Sequence, residues 1–218
     1  MKIGVNEVKE TIKNIAKVIE ENKEFLTELD ANIGDADHGI NMSKGFKAVI
    51  KKLNETNTES ISEILKITGM TLVSNVGGAS GPLYGTAFMK ASMAIDKEFM
   101  DIYDLINMLK AALEGIKSRG KSQAGEKTMI DAIEPALNAL VKSKDDGLID
   151  EKALENMKNE ALKGLEYTKS IVATKGRAAY LGERSIGHQD PGATSSYFML
   201  NEIYKYFINN NKKAIYNE

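Results

Sequence analysis

Apolar residues recur at intervals of three, four or seven through almost the whole chain, a spacing that suits helices and little else. Near the start the stripe is Val8, Ile12, Ile15, Ile19 and Leu26, with Lys and Glu between. In the middle it is Ile102, Leu105, Ile106, Leu109, Ala112, Leu113 and Ile116, and later Leu154, Met157, Ala161, Leu165, Thr168 and Val172. Each stripe is wide enough to pack one helix onto its neighbours. No window alternates apolar and polar residues long enough for a half-buried strand. The chain reads as all-α, with eight helices near 6–29, 39–53, 60–76, 81–96, 101–118, 126–143, 150–175 and 191–209. Ser60-Ile61-Ser62-Glu63 has the form of a capping box, and Pro82 and Pro191 fall where a first-turn proline belongs. Pro135 lies inside the sixth helix and is expected to kink it. Short polar connectors, Asn54 to Glu59 and Lys142 to Gly147, suit antiparallel neighbours. No long Pro/Gly/Ser linker divides the chain, so residues 1–218 are expected to form a single domain.

Charge and cysteine content narrow the function classes. Twenty-nine Lys and Arg against 31 Asp and Glu provide no electrostatic footprint for nucleic acid or an anionic membrane. With no cysteine, the chain has no disulfide, thiolate metal site or Cys nucleophile. There is no charged-then-apolar leader after Met1, and no apolar run reaches the roughly 18 residues of a membrane span. A soluble, cytoplasmic protein is expected, with neither nucleic acid nor membrane as partner.

The glycines gather at helix junctions. Gly34 and Gly39 bracket one, Gly77, Gly78, Gly81 and Gly85 another, Gly120 and Gly125 a third, Gly187 and Gly192 a fourth. In an up-and-down bundle, successive junctions alternate between the two ends. The loops after helices one, three, five and seven therefore share an end, and these are the glycine-rich ones. A functional site is expected there.

The first junction, Leu29 to Met42, carries Asp30, Asp35 and Asp37, three carboxylates that repel one another unless a cation or donors intervene. A hard cation such as Mg²⁺ with phosphate nearby would suit them, and so would plain capping by Asp30 and Asp37. An EF-hand is excluded, because counting from Asp35 puts Ile40 at position six and Phe46 at twelve. The second junction, Val76 to Gly85, is small-residue backbone entering a helix, which fits either phosphate oxygens on free N–H groups or close helix packing. The third matches G-x-x-x-x-G-K-[ST] at Gly115 to Ser122, but Gly115 lies in a helical stripe with no strand before it, so a P-loop fold is rejected. Arg119 to Thr128 reads as a basic, mobile loop over a phosphate site or as a solvated turn. The fourth, Lys175 to Thr194, is a long stretch without helical periodicity, in which Asp190 can be an N-cap and Arg177 and Arg184 can hold an anion or pair with carboxylates. Both histidines, His38 and His188, lie in these junctions; a phosphohistidine carrier or a metal site could be built from them, but hydrogen bonds to phosphate or water are the expected role.

Together, Asp30 to Met42, Val76 to Gly85, Arg119 to Thr128 and Gly176 to Thr194 resemble the ADP-binding L subunits of bacterial phosphoenolpyruvate-dependent dihydroxyacetone kinases. The resemblance runs from the first helix to the last. It implies an antiparallel eight-helix barrel with the nucleotide at one end. It further implies Mg²⁺, two ions, on Asp30, Asp35 and Asp37, and nucleotide contacts at His38, Gly39, Ile40, Asn41, Ala79, Ser80, Gly120, Met129, Arg177, Asp190, Pro191 and Gly192. In such a system ADP is a fixed coenzyme cycling to ATP. A phosphohistidine of an M subunit, fed by the phosphotransferase system, recharges it, and the phosphoryl group passes to dihydroxyacetone on a K subunit. Some L subunits also contact a transcription activator. No residue of the chain is then a nucleophile or base, since positioning and charge neutralisation carry phosphoryl transfer. Relatives using free ATP resemble D-G-D-C-G where this chain has Asp35-Ala36-Asp37-His38-Gly39, so His38 points to the phosphoenolpyruvate-dependent group, while Ala36 for Gly reads as harmless. The competing readings are an ATP-dependent L-type subunit with exchangeable nucleotide and a nucleotide-sensing regulatory module.

Overall fold

The structure, a computed structural model, describes residues 2–216, with side chains described through residue 209. Its helices are α1 (Val5–Glu21), α2 (Lys23–Ile33), α3 (His38–Asn54), α4 (Ile61–Asn75), α5 (Ser80–Met93), α6 (Ile102–Gly120), α7 (Ile130–Asp145), α8 (Asp150–Tyr167) and α9 (Pro191–Tyr216). Two 3₁₀ segments, Thr168–Ser170 and Arg177–Ser185, lie between α8 and α9. Among the described residues the only β pairing is an isolated bridge between Ile3 and Met100.

The first expected helix is two. Asn22 adopts φ −108° and ψ 17° and divides α1 from α2. Its side-chain amide donates to the Val18 carbonyl at 2.8 Å, a local bond that competes with regular helix. The hydrogen-bond ladder nevertheless crosses the break, from Asn22 N to Val18 O and from Leu26 N to Asn22 O. The apolar stripe stays on one face, so α1 and α2 act as one bent arm and the molecule keeps an eight-helix plan. Each helix packs on the next, and α9 returns to α1, closing the ring. Ile19, Leu26, Met42, Phe46, Leu72, Ile116, Ile130, Leu140 and Leu154, contributed by seven different helices, are fully buried in one core.

Glycines let particular helices approach. A Cβ on Gly164 of α8 would collide with the Asp131 carbonyl of α7 and crowd Pro135. Pro135 has no N–H to offer that carbonyl, four residues before it, so the proline and the glycine meet at one contact. α7 is continuous through Pro135, beginning at Ile130 rather than near 126. α8 stops at Tyr167, short of the expected 175, although Val172 continues the apolar period. There the Thr168 hydroxyl turns back to the Leu165 carbonyl at 2.6 Å and the chain tightens into a 3₁₀ turn. No described helix is long and apolar enough to cross a membrane.

Candidate functional site

The junctions after α2, α4, α6 and the α8 excursion meet at one end around a cavity of about 490 Å³. Gly34, Gly77, Gly78, Gly120, Gly176 and Gly192 all line it, as the alternation of junctions requires. So do apolar side chains, Ile33, Leu83, Ile116, Met129 and Ile130, giving the cavity a greasy part beside a charged one.

The charged part starts with Asp30 on α2, which is buried. Its Oδ2 accepts the backbone amides of Asp37 at 2.8 Å and His38 at 3.1 Å, so α2 caps the start of α3. A Cβ on Gly34 would strike Oδ1, and glycine keeps that oxygen clear. Asp30, Asp35 and Asp37 each offer a carboxylate oxygen, all within 4.8 Å of one another. One guanidinium faces them: Arg177 Nη2 lies 2.8 Å from Asp35 Oδ2. Burial, then the charges of Asp35 and Asp30, push the Asp37 carboxyl above its ordinary range. Three oxygen donors short of positive charge fit a hard divalent cation. Ala36 between them adopts φ +60°, so the alanine is not harmless: left-handed backbone costs a non-glycine residue about 1–2 kcal/mol.

His38 is buried, and its ring nitrogens face hydroxyls of this chain, Nδ1 to Ser80 Oγ at 3.0 Å and Nε2 to Ser195 Oγ at 2.9 Å. Burial lowers its pKa to about 4, against a smaller opposing pull from Asp30, so the ring is neutral at pH 7. The network continues to Tyr84, whose hydroxyl meets Ser195 at 2.7 Å and Ser196 at 2.8 Å and donates to the Gly192 carbonyl at 3.0 Å. Burial pushes the Tyr84 hydroxyl well above the usual phenol range. α5 starts after Ala79 with no side-chain cap, so its first amides are not occupied by a capping side chain. Asp190 caps α9, its Oδ2 accepting Ala193 N at 2.6 Å. Burial raises its pKa to about 7.

The segment read as a mobile basic loop is tied down. Asp131 accepts the amides of Gly125 at 2.5 Å and Thr128 at 2.7 Å, and Glu126 takes Ser122 Oγ and Gln123 N, each at 2.8 Å. Of the residues expected in the site, Asp30, Asp35, Asp37, His38, Ala79, Ser80, Gly120, Met129, Arg177, Asp190, Pro191 and Gly192 line the cavity. Gly39, Ile40 and Asn41 do not. Gly39 faces α2, where a Cβ would strike the Lys23 carbonyl, and Ile40 is exposed. Asn41 lies beside Gly77 and bonds to Asp37. His188 is also outside the lining. Lys127, Thr128, Lys175 and Tyr84 also line the cavity; the sequence reading placed their segments at the site without singling out these residues, although a lysine inside a loop rich in small residues was a visible signal. Gly115 sits within α6, as expected once the P-loop was rejected.

A model of the DAK2 domain matches residues 32–205. The chain belongs to the DAK2 family. This member is 48% identical over 193 residues to the ADP-binding subunit DhaL of PEP-dependent dihydroxyacetone kinase 1 from Listeria innocua, covering 88% of this chain and 91% of that one. It is 48% identical over 178 residues to the corresponding subunit from Escherichia coli, covering 81% and 85%. The family resemblance read from the four junctions is thereby borne out. Among solved structures, the dihydroxyacetone kinase from C. freundii in complex with AMP-PNP and Mg²⁺ aligns over 94% of this DAK2 chain with a TM-score of 0.72 and 21% identity. That likeness carries the all-helical fold, and this chain spans 34% of that kinase.

Proposed function

We propose that this DAK2 chain, one domain over residues 1–218, is the nucleotide-holding subunit of a phosphoenolpyruvate-dependent dihydroxyacetone kinase. It keeps ADP as a coenzyme, takes a phosphoryl group from a phosphohistidine on an M subunit and passes it to dihydroxyacetone on a K subunit. The observation that carries the reading is the acidic cluster of Asp30, Asp35 and Asp37 set against a glycine-lined cavity and the uncapped start of α5. Names of relatives at 48% identity support the ADP and the phosphoenolpyruvate dependence.

Asp30, Asp35 and Asp37 would hold Mg²⁺, two ions in our reading, which when bound neutralises charge on phosphate oxygens. The amides at Ala79 and Ser80, which line the cavity at the uncapped start of α5, would receive phosphate, because a helix start presents its unpaired N–H groups. Arg177 brings a fixed positive charge to the same rim. Ile33, Leu83, Ile116, Met129 and Ile130 exclude water on the apolar side, where a base would be held. His38 orients Ser80 rather than accepting a phosphoryl group, since the ring is buried and both of its nitrogens are committed to hydroxyls of this chain.

The test is to desalt the purified protein without added nucleotide, denature it and quantify what is released, in parallel with Asp35→Ala. Near-stoichiometric ADP from the natural chain, and at least roughly 100-fold weaker Mg-ADP binding in the variant with unchanged helical circular dichroism, is the expected result. An empty chain that exchanges ATP freely would instead make it an ATP-dependent subunit. No nucleotide binding with Mg²⁺ present would sink the proposal.

A further inference from the structure

Lys127 is the most buried charged residue among the described residues, with 1% exposure, and its side chain reaches the wall of the cavity. A lysine in that place would ordinarily be assigned to phosphate. Its ammonium is committed elsewhere. Nζ donates to the carbonyls of Thr168 at 2.5 Å, Ile171 at 3.3 Å and His188 at 2.6 Å, three acceptors for three donors. Those acceptors stand at the two feet of one excursion. Thr168 and Ile171 are where the chain leaves α8, and His188 is where it comes back to α9. Between the feet runs the segment whose Arg177 reaches Asp35. Other bonds close the same base: Gly187 N to Lys169 O, Asp190 N to Thr168 Oγ1, and Thr174 N to Glu126 O, the residue before Lys127. Lys127 itself has φ +60°, an unfavourable backbone that delivers the side chain into this knot.

We infer that Lys127 is a positioning residue that cinches the two feet of the 168–190 arm together and so fixes Arg177 over the acidic cluster, without touching the nucleotide. The inference about the arm stands on the free protein; its effect on nucleotide retention rests on the function proposed above. Burial pulls the lysine's pKa down while the charges of Asp190 and Asp131 pull it up, and with three carbonyl acceptors the charged form is the one that fits.

The test uses Lys127→Gln, which keeps an amide donor without the charge, and Lys127→Met, which keeps neither. Hydrogen exchange in nucleotide-free protein is read at the amides of Thr174 and Gly187, and Mg-ADP release is timed in the natural and Arg177→Ala backgrounds. Expected are exchange roughly 10-fold faster at both amides in Lys127→Gln and faster still in Lys127→Met. ADP release should also be roughly 10-fold faster, with that effect shrinking below about 2-fold once Arg177 is gone, as for two residues acting through one contact. A lysine that bound phosphate itself would give effects that add, and that result overturns the inference. So does unchanged exchange at both amides in Lys127→Gln, which is the deciding variant where Lys127→Met does not fold. If the natural chain binds no Mg-ADP, the function reading fails alone, and the exchange data still decide the role of Lys127.

Discussion

The two ends of the barrel are built to different rules. At the end away from the cavity, α4 and α6 start with their own caps. Ser60 accepts Glu63 N at 3.2 Å, and Asp101 accepts Tyr103 N and Asp104 N while the Asp104 carboxylate returns to Asp101 N at 3.0 Å. At the cavity end, α9 is capped by Asp190, but α3 begins without a cap from its own N-cap residue and its first amides are served by Asp30 of α2, while α5 begins with no side-chain cap at all. All three described non-glycine residues with positive φ, Ala36, Lys121 and Lys127, belong to this end, whereas the far end has only Gly147 in that region. Among the described residues the far end carries no such strain. Strain and unmatched charge are collected where a ligand would bind, the distribution expected when binding rather than folding sets the local design.

That contrast can be tested at the level of single residues. The largest effect is expected at Asp190, whose folded-state pKa of about 7 lies above the ordinary carboxylate value of 3.8. Between those values the folded chain holds a proton the unfolded chain has lost, so this group's contribution to stability falls as pH rises from about 4 to 7. In nucleotide-free protein, Asp190→Asn should therefore gain on the natural chain across that window, by up to about 4 kcal/mol. Denaturant titrations at several pH values would show it, and a constant difference between the two proteins would refute it. A smaller effect is expected at the other end. Ser60→Ala should cost about 1 kcal/mol in the same titration and leave Mg-ADP affinity unaltered, because its cap is local. Loss of nucleotide binding there would break the separation of the ends. The smallest is Ala36→Gly, a gain of about 0.5–1 kcal/mol from relief of left-handed strain, partly offset by glycine's freedom in the unfolded chain. A lower melting temperature for this variant would mean that Ala36 is not strained.

Much of this was legible in the sequence because the information was periodic. The stripes through Val8, Ile102 and Leu154 gave the helices, and alternation of junctions brought Gly34, Gly77, Gly120 and Gly192 to one end without any knowledge of contacts. The break at Asn22 was hidden because the apolar face runs on through it. α8 was drawn too long because Val172 keeps the period after Thr168 has turned the backbone aside. Lys127 was invisible as a clasp since its acceptors are backbone carbonyls 41 to 61 residues away, and any residue supplies a carbonyl. Ala36 was misjudged because a dihedral angle leaves no trace in residue type. Gly39 was read as part of a binding motif, yet its place against α2 is a matter of clearance between helices.

Closure of the ring by α9 on α1 has a consequence for how the molecule comes into being. Helical proteins usually fold quickly because their contacts are local. Here the hydrogen bonds that set the cavity wall join residues 111 and 157 positions apart, Tyr84 to Ser195 and His38 to Ser195. Bringing such distant partners together carries the entropy of a long loop, so α9, made well after α3 and α5, completes their surroundings. A nascent chain has Asp30, Asp35, Asp37 and most of its helices long before Ser195 arrives to complete the cavity wall.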